Sequence, residues 1–268
     1  PGANSFYNPF ATFCISYRKS SGVRCRQTPQ FGKIRHGGVN NMKAVILAAG
    51  EGVRMKPLTD SKPKPMIEIL GRPLLHHILD ALPDEVDEVI LVVGYMADQI
   101  KNYFGDSFGR FAIKYVEQKE KLGTGHALHL CKDLLGEDRF FMLYADDLQS
   151  KEDLTRCLNH PLAILVKEVE DPRRFGAVTA DERGKILEIV EKPENPTSNL
   201  ASTGVKVLDS RIFKYPLVQH PNGEYYITYP LAQLAKEHEV IAVRADFWLP
   251  IGYPEDLKKA EKVLLSRL

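Results

Sequence analysis

Residues 43–66 read KAVILAAGEGVRMKPLTDSKPKPM, and this stretch decides how the fold begins. The apolar run from Ala44 to Ala49 is typical of a buried parallel strand. The loop that follows contains two glycines and four cations, namely Gly50, Gly52, Arg54, Lys56, Lys62 and Lys64. Glycines let backbone N–H groups approach an anion closely, and cations neutralise its charge. The pattern therefore predicts a phosphate-binding loop at the end of a strand.

Beyond this loop, apolar strands alternate with amphipathic helices as far as residue 145. The pattern predicts strands at Glu88–Val93, Phe111–Val116 and Phe140–Ala145, and helices at Pro73–Leu82, Met96–Phe104 and Gly125–Leu135. Such alternation favours an α/β fold of the Rossmann-like, doubly wound type, with a mostly parallel sheet.

The second half of the chain has a different character. Short polar turns, rather than long helices, separate predicted strands at Ala163–Val169, Gly176–Thr179, Ile186–Val190 and Thr203–Leu208. We expect these strands to form a mixed or antiparallel extension that makes a lid or wall over the first half. Helical patterns return at Leu231–Glu237 and Glu255–Leu265, around a strand at Val240–Arg244.

Three polar or flexible positions stand at the ends of predicted strands. Ligands of open α/β sheets bind beyond the carboxyl ends of the strands. Gly50, Gln118 and Asp146 each end or closely follow such a strand. We therefore expect all three at the ligand-binding edge of the sheet.

Composition and charge exclude several classes of function. The 268 residues are 44% hydrophobic, which is enough to bury the core of one α/β domain. Residues 1–41 hold six of the 36 basic residues and none of the 35 acidic ones, so the remainder, with 30 basic residues, carries −5. This mildly acidic body argues against a nucleic-acid surface. No apolar run reaches membrane-spanning length.

The ordered motifs of this chain resemble those of the sugar-phosphate nucleotidyltransferases, which include the glucose-1-phosphate thymidylyltransferases and uridylyltransferases. LAAGEGVRM is followed by PLT and PKPM, and later by EQKEKLGTGHA, LYADD, FGAV, EKP, STGV and FWLPIGYPEDL. The resemblance covers Met42 to about Leu265. It implies transfer of a nucleoside monophosphate from an NTP, with UTP or dTTP favoured, to a sugar 1-phosphate, with Mg²⁺ as cofactor and release of pyrophosphate.

The resemblance also assigns roles at the nucleotide. Arg54 matches the arginine that grips the β- and γ-phosphates, and Lys64 matches the lysine that reaches the α-phosphate and the incoming phosphate. We expect these two to be the catalytic residues and no general base, because the attacking phosphate is already ionised. The implied nucleotide-binding set is Ala48, Ala49, Gly50, Gly52, Gln118 and Gly123, of which the last two read the base.

The metal half of the match is incomplete. Asp146 matches the magnesium aspartate, and Asp147 is expected to point the other way and to fix the loop or the ribose. Relatives commonly carry WxD(I/V)G near the end, where the aspartate is a second metal ligand, but Pro250 takes that place here. Either Asp146 holds Mg²⁺ with extra waters, or Asp246 or Asp147 substitutes, or activity is impaired. We favour the first, because Mg²⁺ keeps waters readily.

The sugar half rests on shorter motifs. In the EKP element, the glutamate would accept hydrogen bonds from sugar hydroxyls and the lysine would hold the sugar phosphate. Glycines and a threonine would complete the wall around the sugar. The implied sugar-phosphate-binding set is Gly176, Glu191, Lys192, Thr203 and Gly204. Tyr229 stands where many relatives carry aspartate, and this difference leaves the identity of the sugar open.

The resemblance places the nucleotidyltransferase domain at residues 42–268, because Met42 stands where such a protein would begin. We expect residues 1–41 to be a leader outside the fold. Their basic, acid-poor composition fits a transit peptide, an artificial extension or translated upstream sequence. Cys131 and Cys157 show no metal spacing and are expected to be ordinary thiols in a reducing cytoplasm. The oligomeric state stays open, a homo-oligomer included.

Two other functions compete with the leading one. A cytidylyltransferase acting on a non-sugar phosphate such as phosphocholine shares the opening signature, although EKP and STGV favour a sugar. A catalytically silent, nucleotide-sugar-binding regulatory subunit is the second alternative, and Pro250 is its one support.

Overall fold

The computed structural model describes residues 42–266. The expectations for residues 1–41, including a leader and the domain boundary at Met42, lie outside the described residues and stay predictions. Among residues 42–266, none of the helices combines the length and the apolar character that crossing a bilayer requires.

The described part of the chain alternates strands and helices in its first half and is richer in strands in its second. The strands are β1 (Met42–Ala48), β2 (Glu68–Ile69), β3 (Arg72–Pro73), β4 (Val86–Val93), β5 (Ser107–Phe108), β6 (Phe111–Glu117), β7 (Phe140–Tyr144), β8 (Asp147–Gln149), β9 (Ala163–Glu168), β10 (Gly176–Ala180), β11 (Ile186–Glu191), β12 (Leu200–Leu208), β13 (Ile241–Arg244) and β14 (Trp248–Pro250). The helices are α1 (Leu74–Asp80), α2 (Ala97–Phe104), α3 (Gly123–His129), α4 (Lys132–Leu135), α5 (Lys151–Cys157), α6 (Thr228–Glu237) and α7 (Pro254–Leu265).

Ten of these strands form one sheet. Its central path runs β11-β10-β12-β7-β1-β4-β6-β5, and β9 and β13 join through β12. The pairs β7–β1, β1–β4 and β4–β6 are parallel, so the predicted α/β fold with a mostly parallel central sheet is confirmed. The strands of the second half do not cover the first half, as a lid would. They continue the same sheet sideways, because β12 pairs antiparallel with β7.

Strands β1, β4 and β7 are buried on both faces. Along β1, Ile46 packs into a core with α1, α2, α5 and α7, whereas its neighbour Val45 packs into a second core with α3, α4 and α6. In β4, Leu91 and Ile90 divide in the same way between the two cores. Burying such a side chain contributes about 1.5–3 kcal/mol. Burial on both faces is the reason why these strands read as continuous apolar runs.

Helix α5 is absent from the sequence-based prediction. Ser150 caps it by accepting a hydrogen bond of 3.2 Å from the N–H of Asp153, and Leu154 packs into the first core. The buried carboxylate of Asp153 also accepts hydrogen bonds from the N–H groups of Asp246 and Phe247, at 3.0 and 2.9 Å. Through these bonds α5 fixes the segment that leads into β14.

Candidate functional site

A cavity of about 650 Å³ lies where the carboxyl ends of β1, β6 and β7 meet. Gly50, Gln118 and Asp146 all line it, as their places after the strands predict. Thirteen of the fourteen predicted site residues line this one cavity, namely Ala48, Ala49, Gly50, Gly52, Arg54, Lys64, Gln118, Gly123, Asp146, Gly176, Glu191, Lys192 and Gly204.

Thr203, which the sequence predicts in the sugar wall, does not line this cavity. Side chains alternate between the two faces of a strand, and in β12 the residues on the cavity face are Ser202, Gly204 and Lys206. Thr203 points to the other face, where only 1% of its surface is exposed and its hydroxyl accepts a hydrogen bond from the N–H of Val205. Ser202, rather than Thr203, is the residue of this pair that lines the cavity.

The glycine loop after β1 presents free backbone donors. Among the described residues, no hydrogen-bond acceptor is paired with the N–H groups of residues 50–52. Gly52 has φ +63°, and a Cβ there would lie 2.8 Å from Cβ of Lys64. A side chain at Gly50 would meet no protein atom within 4 Å. The loop therefore combines open space with unsatisfied amides, which suits an anion.

Arg54 brings an uncompensated charge to this loop. Its guanidinium carbon lies 5.2 Å from the centroid of the Tyr253 ring, a cation–π contact. Within residues 42–266, Arg54 makes no ion pair and no hydrogen bond through its side chain. The positive charge is thus available to a ligand in the cavity.

Lys64 and Asp146 form an ion pair on the floor of the cavity. Lys64 Nζ lies 2.5 Å from Asp146 Oδ2, and the side chains are 9% and 36% exposed. Lys64 begins a short 3₁₀ turn, Lys64–Met66, between Pro63 and Pro65, which restrict the backbone on both sides. The two other cations of the loop, Lys56 and Lys62, lie on the surface in ion pairs with Asp60 and Glu68.

Asp147, the residue after Asp146, links neighbouring strands through its carboxylate. Its Oδ2 accepts hydrogen bonds from the N–H of Gly204 at 2.8 Å and from Nε1 of Trp248 at 3.0 Å. Burial, reinforced by the charge of Asp146, raises the pKa of the Asp147 carboxyl above its ordinary value. Asp147 thus ties β8 to β12 and β14.

The residues around Asp146 fit a metal ion that substrate phosphates help to hold. Pro250 pairs with Asp147 across β14 and β8 and has no ligating side chain. Asp246 does not line the cavity, and its carboxylate accepts a 2.8 Å hydrogen bond from Arg156. Among the described residues there is no group of three or more metal-ligating side chains. The second oxygen of the Asp146 carboxylate, completed by phosphates and waters, suits Mg²⁺, whereas a metal site made of protein alone is not supported.

Gln118 and Gly123 also line the cavity and contact each other. Gln118 Nε2 donates to the carbonyl of Gly123 at 3.0 Å and to Nδ1 of His126 at 3.1 Å. Both amide hydrogens are then used, and no described residue donates to Oε1, so this acceptor is left for a ligand. Gly123 has φ +88°, and a Cβ there would lie 2.7 Å from the carbonyl oxygen of Tyr225.

Glu191 and Lys192 lie at the end of β11, held by side chains from distant parts of the chain. The hydroxyl of Thr228 donates to Glu191 Oε2 at 2.5 Å. Lys192 Nζ donates to the hydroxyl of Tyr226 at 2.9 Å and lies 3.6 Å from Glu191 Oε1. Gly176 leaves room beside them, because a Cβ there would be 3.6 Å from Glu191.

Sequence reasoning missed three cations that line the cavity, namely Lys121, Arg174 and Lys206. Lys206 is buried, donates to the carbonyl of Thr203 at 2.5 Å and faces the Tyr144 ring, and burial lowers the pKa of its amine to about 8. The two-residue period from Gly204 was the signal that could have found it. Arg174 donates to the hydroxyl of Tyr253 at 3.0 Å. No sequence signal connects those two residues, which lie far apart in the chain.

The chain matches proteins of known families over almost all of its described length. The family model described as nucleotidyl transferase matches residues 43–267. Bifunctional protein GlmU of Methanocaldococcus jannaschii is 38% identical over 232 residues, which cover 85% of this chain and 55% of that protein. The chain thus spans little more than half the length of that relative.

Two further similarities cover whole proteins or nearly so. UTP--glucose-1-phosphate uridylyltransferase AglF of Haloferax volcanii is 38% identical over 240 residues, which cover 83% of this chain and 96% of that protein. A crystal structure of UDP-glucose pyrophosphorylase complexed with UDP-glucose has a TM-score of 0.75 at 26% identity, and covers 85% of this chain and 100% of the other. The family match, the relatives and the fold agree with the motifs. The chain belongs to the nucleotidyl transferase family.

Proposed function

We propose that this protein transfers a nucleoside monophosphate from UTP or dTTP to a sugar 1-phosphate and releases pyrophosphate. The observation that carries the proposal is that one cavity is lined by the glycine loop with its free amides and Arg54, by Asp146, by Gln118, and by Glu191 with Lys192. The names of two similar proteins include UTP with glucose 1-phosphate and UDP-glucose, which supports the same substrate classes.

The orientation of Gln118 supports uracil or thymine as the base. The carbonyl of Gly123 can only accept a hydrogen bond, so the amide nitrogen of Gln118 faces it. Oε1 of Gln118 is then left to accept a hydrogen bond from the base. Uracil and thymine carry a donor at N3, which Oε1 can accept. Cytosine has an acceptor at N3, so this geometry disfavours the cytidylyltransferase alternative.

The phosphates of the nucleotide would lie over the glycine loop. The N–H groups of residues 50–52 would donate to phosphate oxygens, and Arg54 would bind the β- and γ-phosphates. Lys64 has three ammonium hydrogens, and Asp146 engages one, so the other two can reach the α-phosphate and the incoming phosphate. In-line attack on the α-phosphorus then needs these charges more than a base, because the sugar phosphate is already an anion.

We infer that Asp146 holds Mg²⁺ together with phosphate oxygens of the nucleotide. Bound there, the ion would neutralise charge that builds up on the α-phosphate and the departing pyrophosphate. The free part of the Asp146 carboxylate supports this role, as does the engagement of Asp147 by Gly204 and Trp248.

The sugar 1-phosphate would occupy the end of the cavity near β11. Glu191 has one oxygen fixed by Thr228, which orients the other towards sugar hydroxyls. Lys192, oriented by Tyr226, would bind the phosphate of the sugar. Ser202 and Gly204 would face the ring from β12.

A panel of substrates tests the proposal. Pyrophosphate release is measured with each pairing of UTP, dTTP or CTP with glucose 1-phosphate, N-acetylglucosamine 1-phosphate or phosphocholine, in the presence of Mg²⁺. We expect release with UTP or dTTP and a sugar 1-phosphate. Release with CTP and phosphocholine alone would favour the cytidylyltransferase. Tight binding of UDP-glucose without release from any pair would favour the regulatory subunit.

The environment of the protein stays a prediction. Cys131 and Cys157 are free and buried, which agrees with ordinary thiols in a reducing cytoplasm. A homo-oligomer and the absence of a nucleic-acid partner also remain expectations drawn from the sequence.

A further inference from the structure

The lysines and arginines that line the cavity differ in how their charges are compensated. Three lysines form ion pairs with carboxylates, namely Lys64 with Asp146, Lys121 with Glu51 and Lys192 with Glu191. Within residues 42–266, neither Arg54 nor Arg174 has a carboxylate partner. Two guanidinium groups with uncompensated charge therefore face the same cavity.

The local structure separates Arg174 from its neighbour Arg173. Asp171 caps the 3₁₀ turn Pro172–Arg174 by accepting from the N–H of Arg173 at 3.1 Å, and it also binds the Arg173 side chain. The charge of Arg173 is thereby neutralised outside the cavity, whose lining does not include it. Arg174 lines the cavity, and its Nη2 donates to the Tyr253 hydroxyl at 3.0 Å.

Arg54 and Arg174 both contact the ring of Tyr253. The guanidinium carbons of Arg54 and Arg174 lie 5.2 and 5.3 Å from the centroid of its ring. The backbone at Tyr253 is itself fixed, because Asp256 Oδ2 accepts from the N–H groups of Gly252 and Tyr253 at 2.8 and 2.9 Å. Both cations thus contact one ring, and a polyanion that binds both would compensate their charges.

We propose that Arg174 is a second phosphate-binding arginine, which Tyr253 orients so that it binds the terminal phosphates of the nucleotide and the pyrophosphate product together with Arg54. A guanidinium presents a planar fork of donors that matches phosphate oxygens, and two forks suit the dense charge of pyrophosphate. Tyr253 acts as a positioning residue through its hydroxyl and ring. This inference rests on the proposed function, since it takes the phosphates to lie over the glycine loop.

Calorimetric titration of the full chain with three probes tests the proposal. The probes are inorganic pyrophosphate, UTP and UMP, each with Mg²⁺, and the variants are Arg174→Gln and the matched control Arg173→Gln. We expect Arg174→Gln to weaken pyrophosphate and UTP binding about tenfold or more, because the variant loses a charge-assisted hydrogen bond to phosphate. UMP lacks the terminal phosphates, so its affinity should stay within about twofold, and Arg173→Gln should change none of the three.

Two more variants separate a binding role from a structural one. Arg174→Lys keeps the charge without the fork and should recover part of the pyrophosphate affinity. Tyr253→Phe should weaken pyrophosphate binding less than Arg174→Gln, and should add little in the double variant, because the hydroxyl acts through Arg174.

Several outcomes would overturn the inference. Unchanged pyrophosphate affinity in Arg174→Gln would do so, and so would an equal loss for UMP, which would indicate a general distortion. Glucose 1-phosphate is titrated as a fourth probe, and a loss of its affinity in Arg174→Gln, with pyrophosphate affinity unchanged, would assign Arg174 to the acceptor. A wild-type protein that binds pyrophosphate through Arg174 but makes no nucleotide sugar would contradict the proposed function and leave this inference standing. No pyrophosphate binding by wild type would overturn this inference, whereas the proposed function is decided by whether a nucleotide sugar forms.

Discussion

Lys64 Nζ lies 2.5 Å from Asp146 Oδ2, so an ion pair joins the segment after β1 to the end of β7. The pair links a cation of the phosphate loop to the carboxylate that we infer to hold Mg²⁺. Lys64 is nearly buried, and a buried charge that loses its partner is costly. The two residues therefore depend on each other for both structure and chemistry.

Asp146→Asn should lower kcat by a factor of about 10² or more, because it removes a charge that acts on the transition state. The matched control is Asp246→Asn, whose carboxylate is 81% exposed and pairs with Arg156 outside the cavity. Steady-state rates of pyrophosphate release, with melting temperatures of both variants, separate chemistry from folding. A comparable loss of rate in both variants would mean that Asp246 has a catalytic role after all.

Gly123→Ala should destabilise the protein and raise KM for UTP. The new Cβ would lie 2.7 Å from the carbonyl oxygen of Tyr225, at a backbone φ of +88°. Strain and overpacking together cost roughly 2–5 kcal/mol. Gly136→Ala is the control, since φ there is +66° but no atom lies within 4 Å. Urea unfolding should show a clearly smaller loss for Gly136→Ala, and equal losses would contradict the close contact.

Gln118→Ala should reduce the preference for UTP over CTP by about two- to tenfold in kcat/KM, the value of one neutral hydrogen bond. Gln118 Oε1 is the acceptor that we assign to the donor at N3 of the base. The measurement is competition between the two nucleotides with one sugar 1-phosphate. Lys119→Ala, at the next position along the chain, should leave the ratio unchanged. An unaltered ratio in Gln118→Ala would show that another group reads the base.

Lys206 should make stability rise with pH in the alkaline range. Burial lowers the pKa of its amine from 10.5 to about 8, although Asp147 and Glu191 oppose the shift. Below about pH 8 the folded protein bears the cost of a buried charge. Between these two pKa values the folded state has released the proton and the unfolded state has not, so the cost is progressively relieved.

The stability of wild type relative to Lys206→Met should therefore increase by up to about 3 kcal/mol from pH 7.5 or so to about pH 10.5. Urea unfolding of both proteins across this range measures the difference, and the variant cancels the titration of other groups. A difference that does not change with pH would show that Lys206 keeps an ordinary pKa.

Much of the fold and site could be predicted because the informative residues are contiguous. The apolar run of β1 and the loop that carries Gly50, Gly52 and Arg54 belong to one stretch of sequence, and strand ends placed Gln118 and Asp146 at the same edge. Helix α5 was missed because its sequence, KEDLTRC, has few apolar residues to mark a buried face, although Ser150 offered a capping signal. A helix predicted at Gly125–Leu135 is in fact two, α3 and α4.

The features that escaped prediction depend on contacts between distant residues. Arg174 and Tyr253 meet only because the turn before β10 and the start of α7 face one cavity. Thr203 was predicted at the cavity, but its neighbours Ser202 and Gly204 line it instead. Neighbouring side chains of a strand point to opposite faces, so a shift of one position exchanges the faces. Lys206 shares the cavity face with Gly204, but a lysine in a strand gives no sign of burial in the sequence.

The most direct test of the proposed function is ³¹P NMR of the full chain with UTP, glucose 1-phosphate and Mg²⁺. We expect resonances of UDP-glucose and pyrophosphate to grow in a one-to-one ratio, only when both substrates are present, and to be lost in Asp146→Asn. The experiment is repeated with other sugar 1-phosphates in place of glucose 1-phosphate, because the protein's sugar can differ from glucose. Hydrolysis of UTP without formation of any nucleotide sugar across that set would contradict nucleotidyl transfer to a sugar phosphate.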